Sequence, residues 1–152
     1  MERVVNITLH KDTEGAYALS VAPLTATVSP RDDAEQPVSL RWILRENPEN
    51  PGLPDAPNAR RLTVSFSQVP TPFTVTAPGE PPPPEERYSA PANFDGAEVV
   101  TPPVQDLVRD DDAILLFKYT ILVETNDNQE IVIDPYVRWR RRKITRDTLL
   151  ND

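Results

Sequence analysis

Apolar residues alternate with polar ones along most of this chain, and no stretch shows the three-to-four spacing of an amphipathic helix. Val5, Ile7 and Leu9 share one face of an extended segment, as do Val38, Leu40, Trp42 and Leu44, and then Leu62, Val64 and Phe66. The pattern predicts strands over residues 4–10, 17–28 with a bend at Pro23, 38–44, 61–67, 73–77, 114–124 and 130–140. Each offers one face to a core, which is the signature of two packed antiparallel sheets.

The last two strands form the best specified unit. The turn residues "TNDNQ" favour a hairpin, and placing Glu124 opposite Glu130 sets Val123 against Ile131, Ile121 against Ile133, Phe117 against Val137 and Leu115 against Trp139. Every one of these inward pairs is apolar, so a slip of one residue would turn an apolar set outward. Continued further, the register places Asp112 opposite Arg142 and Asp111 opposite Lys143.

Seven strands, a tryptophan in the third ("VSLRWIL") and a penultimate strand "DDDAILLFKYTILV" with an acidic start and a tyrosine resemble an immunoglobulin-like sandwich. The ending "EIVIDPYVRW" is similar to the last strand of many bacterial immunoglobulin-like modules, where Asp-Pro precedes an alternating run. The resemblance covers the whole chain at the level of architecture, without the family's cysteine pair, and implies neither catalytic residues nor a specific ligand. The expected fold is thus all-β, a seven-stranded antiparallel immunoglobulin-like β-sandwich over residues 1–143, followed by a tail at 144–152. Two long proline-rich loops, 45–60 and 78–113, interrupt it. Alternation of loops between the ends of such a sandwich puts 29–37, 68–72 and 125–129 at one pole. It puts 10–16, 45–60, 78–113 and the final basic cluster at the other.

Length and composition set the frame for function. The 152 residues suit one domain, and 18 prolines against 4 glycines predict stiff connections. The absence of cysteine excludes disulfides, thiolate metal sites and a cysteine nucleophile. The start lacks the apolar core of a signal peptide and no run approaches transmembrane length, so the expectation is a cytoplasmic protein without a membrane partner.

The net charge of −8 conceals an asymmetry. Arg138, Arg140, Arg141, Arg142, Lys143 and Arg146 hold six of the 16 basic residues, and the remaining ten face 24 acidic ones, a balance of −14. Arg138, Arg140 and Arg142 share the strand face opposite Trp139, a stripe suited to an extended acidic surface on a protein partner or a second copy. The cluster "RWRRRK" also matches a nucleic-acid contact in which cations meet phosphates, but the acidic remainder repels a polyanion and Trp139 falls on the core-facing parity. In the other loop, Pro48, Pro51, Pro54 and Pro57 recur every third residue, a spacing that stacks the rings of a polyproline II helix into a stripe for an aromatic groove; the plainer reading is a stiff solvent-facing strap.

Signals for catalysis are weak. His10 is the sole histidine, no serine sits in a nucleophile elbow, and no phosphate-cradling or dinucleotide glycine pattern occurs. Asp32, Asp33 and Asp127 form a conceivable calcium site at the pole opposite the proline loops, without a dedicated motif. The leading expectation is a non-enzymatic interaction or self-assembly module with no cofactor, using Arg138, Arg140, Arg142, Lys143, Pro48, Pro51, Pro54 and Pro57. The alternatives are a nucleic-acid-binding accessory, a carboxylate-based enzyme and a calcium-binding domain.

Overall fold

A computed structural model describes residues 2–30, 37–53, 56–75, 78–81, 83–108 and 113–141. These are all-β, with no helix among them. The strands are β1 (Glu2–Lys11), β2 (Tyr17–Ala22), β3 (Thr25–Val28), β4 (Ser39–Glu46), β5 (Ala59–Phe66), β6 (Glu86–Pro91), β7 (Ala97–Val100), β8 (Ala113–Lys118), β9 (Thr120–Thr125), β10 (Glu130–Ile133) and β11 (Tyr136–Arg141). They build three sheets in the orders β2-β1-β4-β7, β10-β9-β5-β6 and β3-β11-β8.

Among the described residues eleven strands replace the seven expected, and the pairing is not purely antiparallel: β1 runs parallel to β4 and β3 parallel to β11. Part of the surplus comes from interruption. Pro23 divides residues 17–28 into β2 and β3, which join different sheets, so the expected bend becomes a change of sheet. The final hairpin is divided likewise. Its register is the predicted one, with Ile131 opposite Val123, Ile133 opposite Ile121, Val137 opposite Phe117 and Trp139 opposite Leu115. At Tyr119 and Asp134–Pro135 both arms cross together from one sheet into the next, held in step by the Tyr119 N–H donating to the Pro135 carbonyl at 3.1 Å. Proline has no N–H to return, so the ladder opens there and the strands can bend.

Two other strands come from the segment 78–113, which is not the plain loop expected, since β6 pairs with β5 and β7 with β4. The strand expected over 73–77 is absent from its described part. Phe73 is fully buried, yet a turn holds it: the Phe73 N–H donates to Thr71 Oγ1 at 3.0 Å and the Thr74 N–H to the Thr71 carbonyl at 3.3 Å. Val75 beyond it is 66% exposed.

One hydrophobic cluster joins the inward faces. It includes all the predicted one-face sets of β1, β4 and β5. Trp42 of β4 sits at its centre, with its ring 5.5 Å from Tyr119, 6.2 Å from Tyr88 and 6.4 Å from both Phe66 and Phe73. Edge-to-face and offset contacts of this kind each add about 0.5–1.5 kcal/mol to the burial of the rings.

Candidate functional site

The basic stripe lies on the outer face of the sheet β3-β11-β8. Cross-strand pairs place Tyr136 beside Lys118, Arg138 beside Leu116 and Arg140 beside Ile114, with Thr25 and Thr27 of β3 on the other flank. Trp139 and Val137 point the opposite way and are fully buried. The alternation therefore places Val137 and Trp139 inward and Arg138 and Arg140 outward, as the parity predicts. Arg138 is exposed and Arg140 half-buried. Arg141 Nε lies 3.4 Å from Asp106 Oδ1. Arg142 and Lys143 lie outside the described residues, as do their predicted partners Asp111 and Asp112 and the tail 144–152.

Sequence reasoning missed what surrounds this stripe. Ile114 is 57% and Leu116 58% exposed, so two large aliphatic side chains stand in water directly beside the arginines. The period-two pattern contains the signal, because "AILLFK" is apolar on both parities, although the hairpin register depends on the inward parity alone.

Trp139 is closed to a base. Its indole N–H donates to the Gln105 carbonyl at 2.9 Å and its ring is buried, so it offers no stacking platform to a nucleic acid. The bond also fixes a strap over the end of the core. Along it the Thr101 N–H donates to the Leu40 carbonyl at 2.9 Å, the Val104 N–H to the Val38 carbonyl at 2.6 Å and the Gln105 N–H to the Pro72 carbonyl at 2.6 Å.

The proline loop sits elsewhere. The Asn47 N–H donates to the Leu9 carbonyl at 2.8 Å, Asn50 Nδ2 to the Lys11 carbonyl at 2.6 Å and the Asn126 N–H to the Asn58 carbonyl at 2.9 Å. These bonds gather the end of β1, the loop 47–58 and the tip of the last hairpin, whose far end carries Arg138–Arg141. The expected pole assignment is thus corrected on two points: 125–129 joins the proline loop, and the basic stripe runs away from it.

The polyproline II stripe is also overturned. Glu49 and Asn50 turn back onto Asn47, and Leu53 and Ala56 bridge each other. Glu46 staples the doubled loop by accepting from the Gly52 N–H at 3.2 Å and the Asn58 N–H at 2.8 Å. Gly52 packs so closely that a Cβ there would lie 2.5 Å from the Pro57 Cα. Pro48, Pro51 and Pro57 therefore cannot form one continuous three-fold stripe, and Pro54 lies outside the described residues.

Beside this loop is a shallow cleft of about 420 Å³ lined by Lys11, Tyr17, Ala56, Pro57, Asn58, Asn126 and Asp127. Its polar groups are largely engaged with one another. Thr125 Oγ1 donates to Asp127, Asn126 Nδ2 donates to the Pro57 carbonyl, and Lys11 Nζ stands 5.4 Å from the centre of the Tyr17 ring. The Thr125 hydroxyl, with smaller help from Tyr17 and Lys11, holds the Asp127 carboxyl below the usual carboxylate range. Asp127 thus sits at the proline-loop end and not opposite it; Asp32 and Asp33, the other two residues of the expected calcium site, lie outside the described residues. No group of three metal-ligating side chains occurs among the described residues.

His10 makes two hydrogen bonds at the end of β1. Asn47 Nδ2 donates to Nδ1 at 2.9 Å, which leaves the proton on Nε2 to be donated to Ser20 Oγ at 2.7 Å. On the outer face of β1-β4-β7, Arg41 bridges Glu2 and Glu98 at 2.5 Å and 2.7 Å, and Glu98 also meets Arg45 at 3.3 Å. The Arg41 guanidinium lowers the Glu2 carboxyl below its ordinary range. These charges are mutually neutralised; on the β8–β11 face Arg138 stands beside Leu116 and Arg140 beside Ile114. No helix among the described residues is long and apolar enough to cross a membrane.

Neither a protein-family model nor a curated protein matches this chain.

Proposed function

We propose that this protein is a non-enzymatic protein-protein interaction or self-assembly module acting through the outer face of β8 and β11. The observation that carries the reading is the pairing of exposed Leu116 with Arg138 and of exposed Ile114 with Arg140 across one strand pair. Aliphatic groups left in water favour burial by a partner, and interleaved cations select an acidic one. The two four-stranded sheets sharing the core around Trp42 support the sandwich, immunoglobulin-like reading of the architecture, on which binding surfaces vary independently of the scaffold. The proline loop, folded on itself by Glu46, enters this proposal as a support and not as a ligand.

The test uses immobilised poly-glutamate and double-stranded DNA as probes at low and high salt, together with light scattering of the protein alone. The parent is expected to self-associate or to be retained on poly-glutamate in low salt, and the double variant Arg138→Gln/Leu116→Ser to do neither. Equal behaviour of parent and variant would overturn the assignment of the face. Stronger retention on DNA than on poly-glutamate would overturn the choice of a protein partner.

A further inference from the structure

The hydrogen-bond phase of the last hairpin fixes which backbone groups of β8 face outward. Tyr119 donates to Pro135, so the residue pairs that exchange bonds across β8 and β11 are the odd-numbered ones: Phe117 with Val137, Leu115 with Trp139 and Ala113 with Arg141. The N–H and C=O groups of Ile114, Leu116 and Lys118 therefore point away from β11, off the end of the sheet. No backbone partner for them occurs among the described residues. The place beside them is the continuation of β5, which pairs with β9 as far as Ser65 opposite Thr120 and then leaves the ladder.

Protein edges of this kind are usually blunted by charge, proline or a bulge. Here Lys118 stands at one end, and Ile114–Phe117 present four apolar side chains, two on each face. Leu115 and Phe117 on the inner face are only half-buried, so an added strand would cover them too.

The geometry points to an open strand site: β8 accepts an extended peptide segment of a partner as a new edge strand, with acidic side chains on the outer face beside Lys118, Arg138 and Arg140. This rests on the interaction reading given above and specifies how the partner is held. Charge decides the occupant. Antiparallel pairing of β8 with a second copy of itself would join two faces that each carry these cations, whereas an acidic segment opposes them. Main-chain bonds would supply the holding, and the alternate outer positions would select glutamate or aspartate.

The probe is a ten-residue peptide alternating valine and glutamate, with its valine–lysine counterpart as control, and the readout is amide hydrogen exchange by NMR. Addition of the acidic peptide is expected to slow exchange at Ile114, Leu116 and Lys118 about tenfold or more, with little change at Leu115 and Phe117, whose amides already face β11. Leu116→Pro removes an outward N–H without touching the ladder to β11, and should weaken peptide binding more than about tenfold while the protein stays folded. Arg138→Gln should weaken it about twofold to fivefold.

Binding that depends on Arg138 but leaves the three edge amides unchanged would overturn the strand site and spare the interaction face. Binding indifferent to both variants would overturn both. Slow exchange of those amides in the peptide-free protein would show the edge already covered, by its own chain or, if the mass is that of a dimer, by a second copy, and either result overturns the peptide site.

Discussion

Trp42 Nε1 donates a hydrogen bond to the hydroxyl of Tyr119 at 3.0 Å, and both side chains are buried. Trp42 belongs to the central strand β4, and Tyr119 occupies the bend at which the last hairpin passes from one sheet to another. The bond therefore ties the bend to the middle of the core. Removing one partner leaves the other's polar group without water or a substitute, which is costlier than the bond itself.

Tyr119→Phe is accordingly expected to destabilise the protein by about 1–3 kcal/mol at neutral pH, read from urea unfolding. A pH series adds a second check. Burial pushes the Tyr119 hydroxyl up to about 12, above its unfolded value, although the Trp42 N–H works in the opposite direction. A group whose pKa is raised by folding keeps its stabilising contribution below the unfolded value and loses it as pH climbs to the folded one. The window is thus about pH 10 to 12, and the loss is about 2–3 kcal/mol. Tyr88, raised by burial and by Glu86, also adds to the alkaline fall. Tyr119→Phe should therefore flatten it in part, and an unchanged alkaline slope would count against the buried phenol.

The turn between β6 and β7 supplies a sharper contrast. Gly96 has φ of +95° and a Cβ there would lie 1.9 Å from the Leu44 carbonyl, whereas Gly15 has φ of +87° with nothing within 4 Å. Both substitutions by alanine carry the left-handed penalty of about 1–2 kcal/mol. Only Gly96→Ala adds a backbone collision with β4, so it should cost at least about 2 kcal/mol more than Gly15→Ala in denaturant midpoints. Equal costs would mean that β7 does not approach β4 as described.

What the sequence revealed and concealed follows from these contacts. The register of the last hairpin was legible because Val123, Ile131, Phe117, Val137, Leu115 and Trp139 all needed the same side. The division at Tyr119 and Pro135 was not, since period-two alternation is the same whichever sheet a strand joins. Parallel pairing of β1 with β4 was hidden for the same reason. β6 is hidden in the sequence by the prolines that flank "ERYSA", although Tyr88 and Ala90 lie on its inward parity. Phe73 misled in the other direction, being an apolar residue buried by a threonine-held turn and not by a strand. At the candidate site the outward parity of Arg138 was readable; its distance from the proline loop was not, because that depends on which ends of β1, β4 and the hairpin coincide.

Glu46 provides a local test of the proline loop. Its two carboxylate oxygens accept from Gly52 and Asn58, joining the two arms of the loop. Glu46→Ala should cost about 1–3 kcal/mol and speed amide exchange at Gly52 and Asn58 before global unfolding. Binding through β8 should be unaffected, because the loop lies at the hairpin tip. Loss of binding in Glu46→Ala would reconnect the loop to the site.

Trp139 separates the structural share of the basic segment from its binding share. The indole fills the core under β11, and its N–H anchors the strap at Gln105, whose own N–H reaches Pro72. Trp139→Phe removes both the donor and part of the packed volume, and large-to-small changes in a core with an added lost hydrogen bond cost about 2–4 kcal/mol. Exchange at Val104 and Gln105 should accelerate with it, since the strap loses its anchor on β11. Arg138, one residue away on the outer face, should show the reverse profile: Arg138→Gln stays within about 0.5 kcal/mol of the parent in stability while weakening association. The two variants thus divide one strand by parity. A destabilised Arg138→Gln, or a Trp139→Phe that unfolds like the parent, would reverse the orientation of β11 on which the site depends.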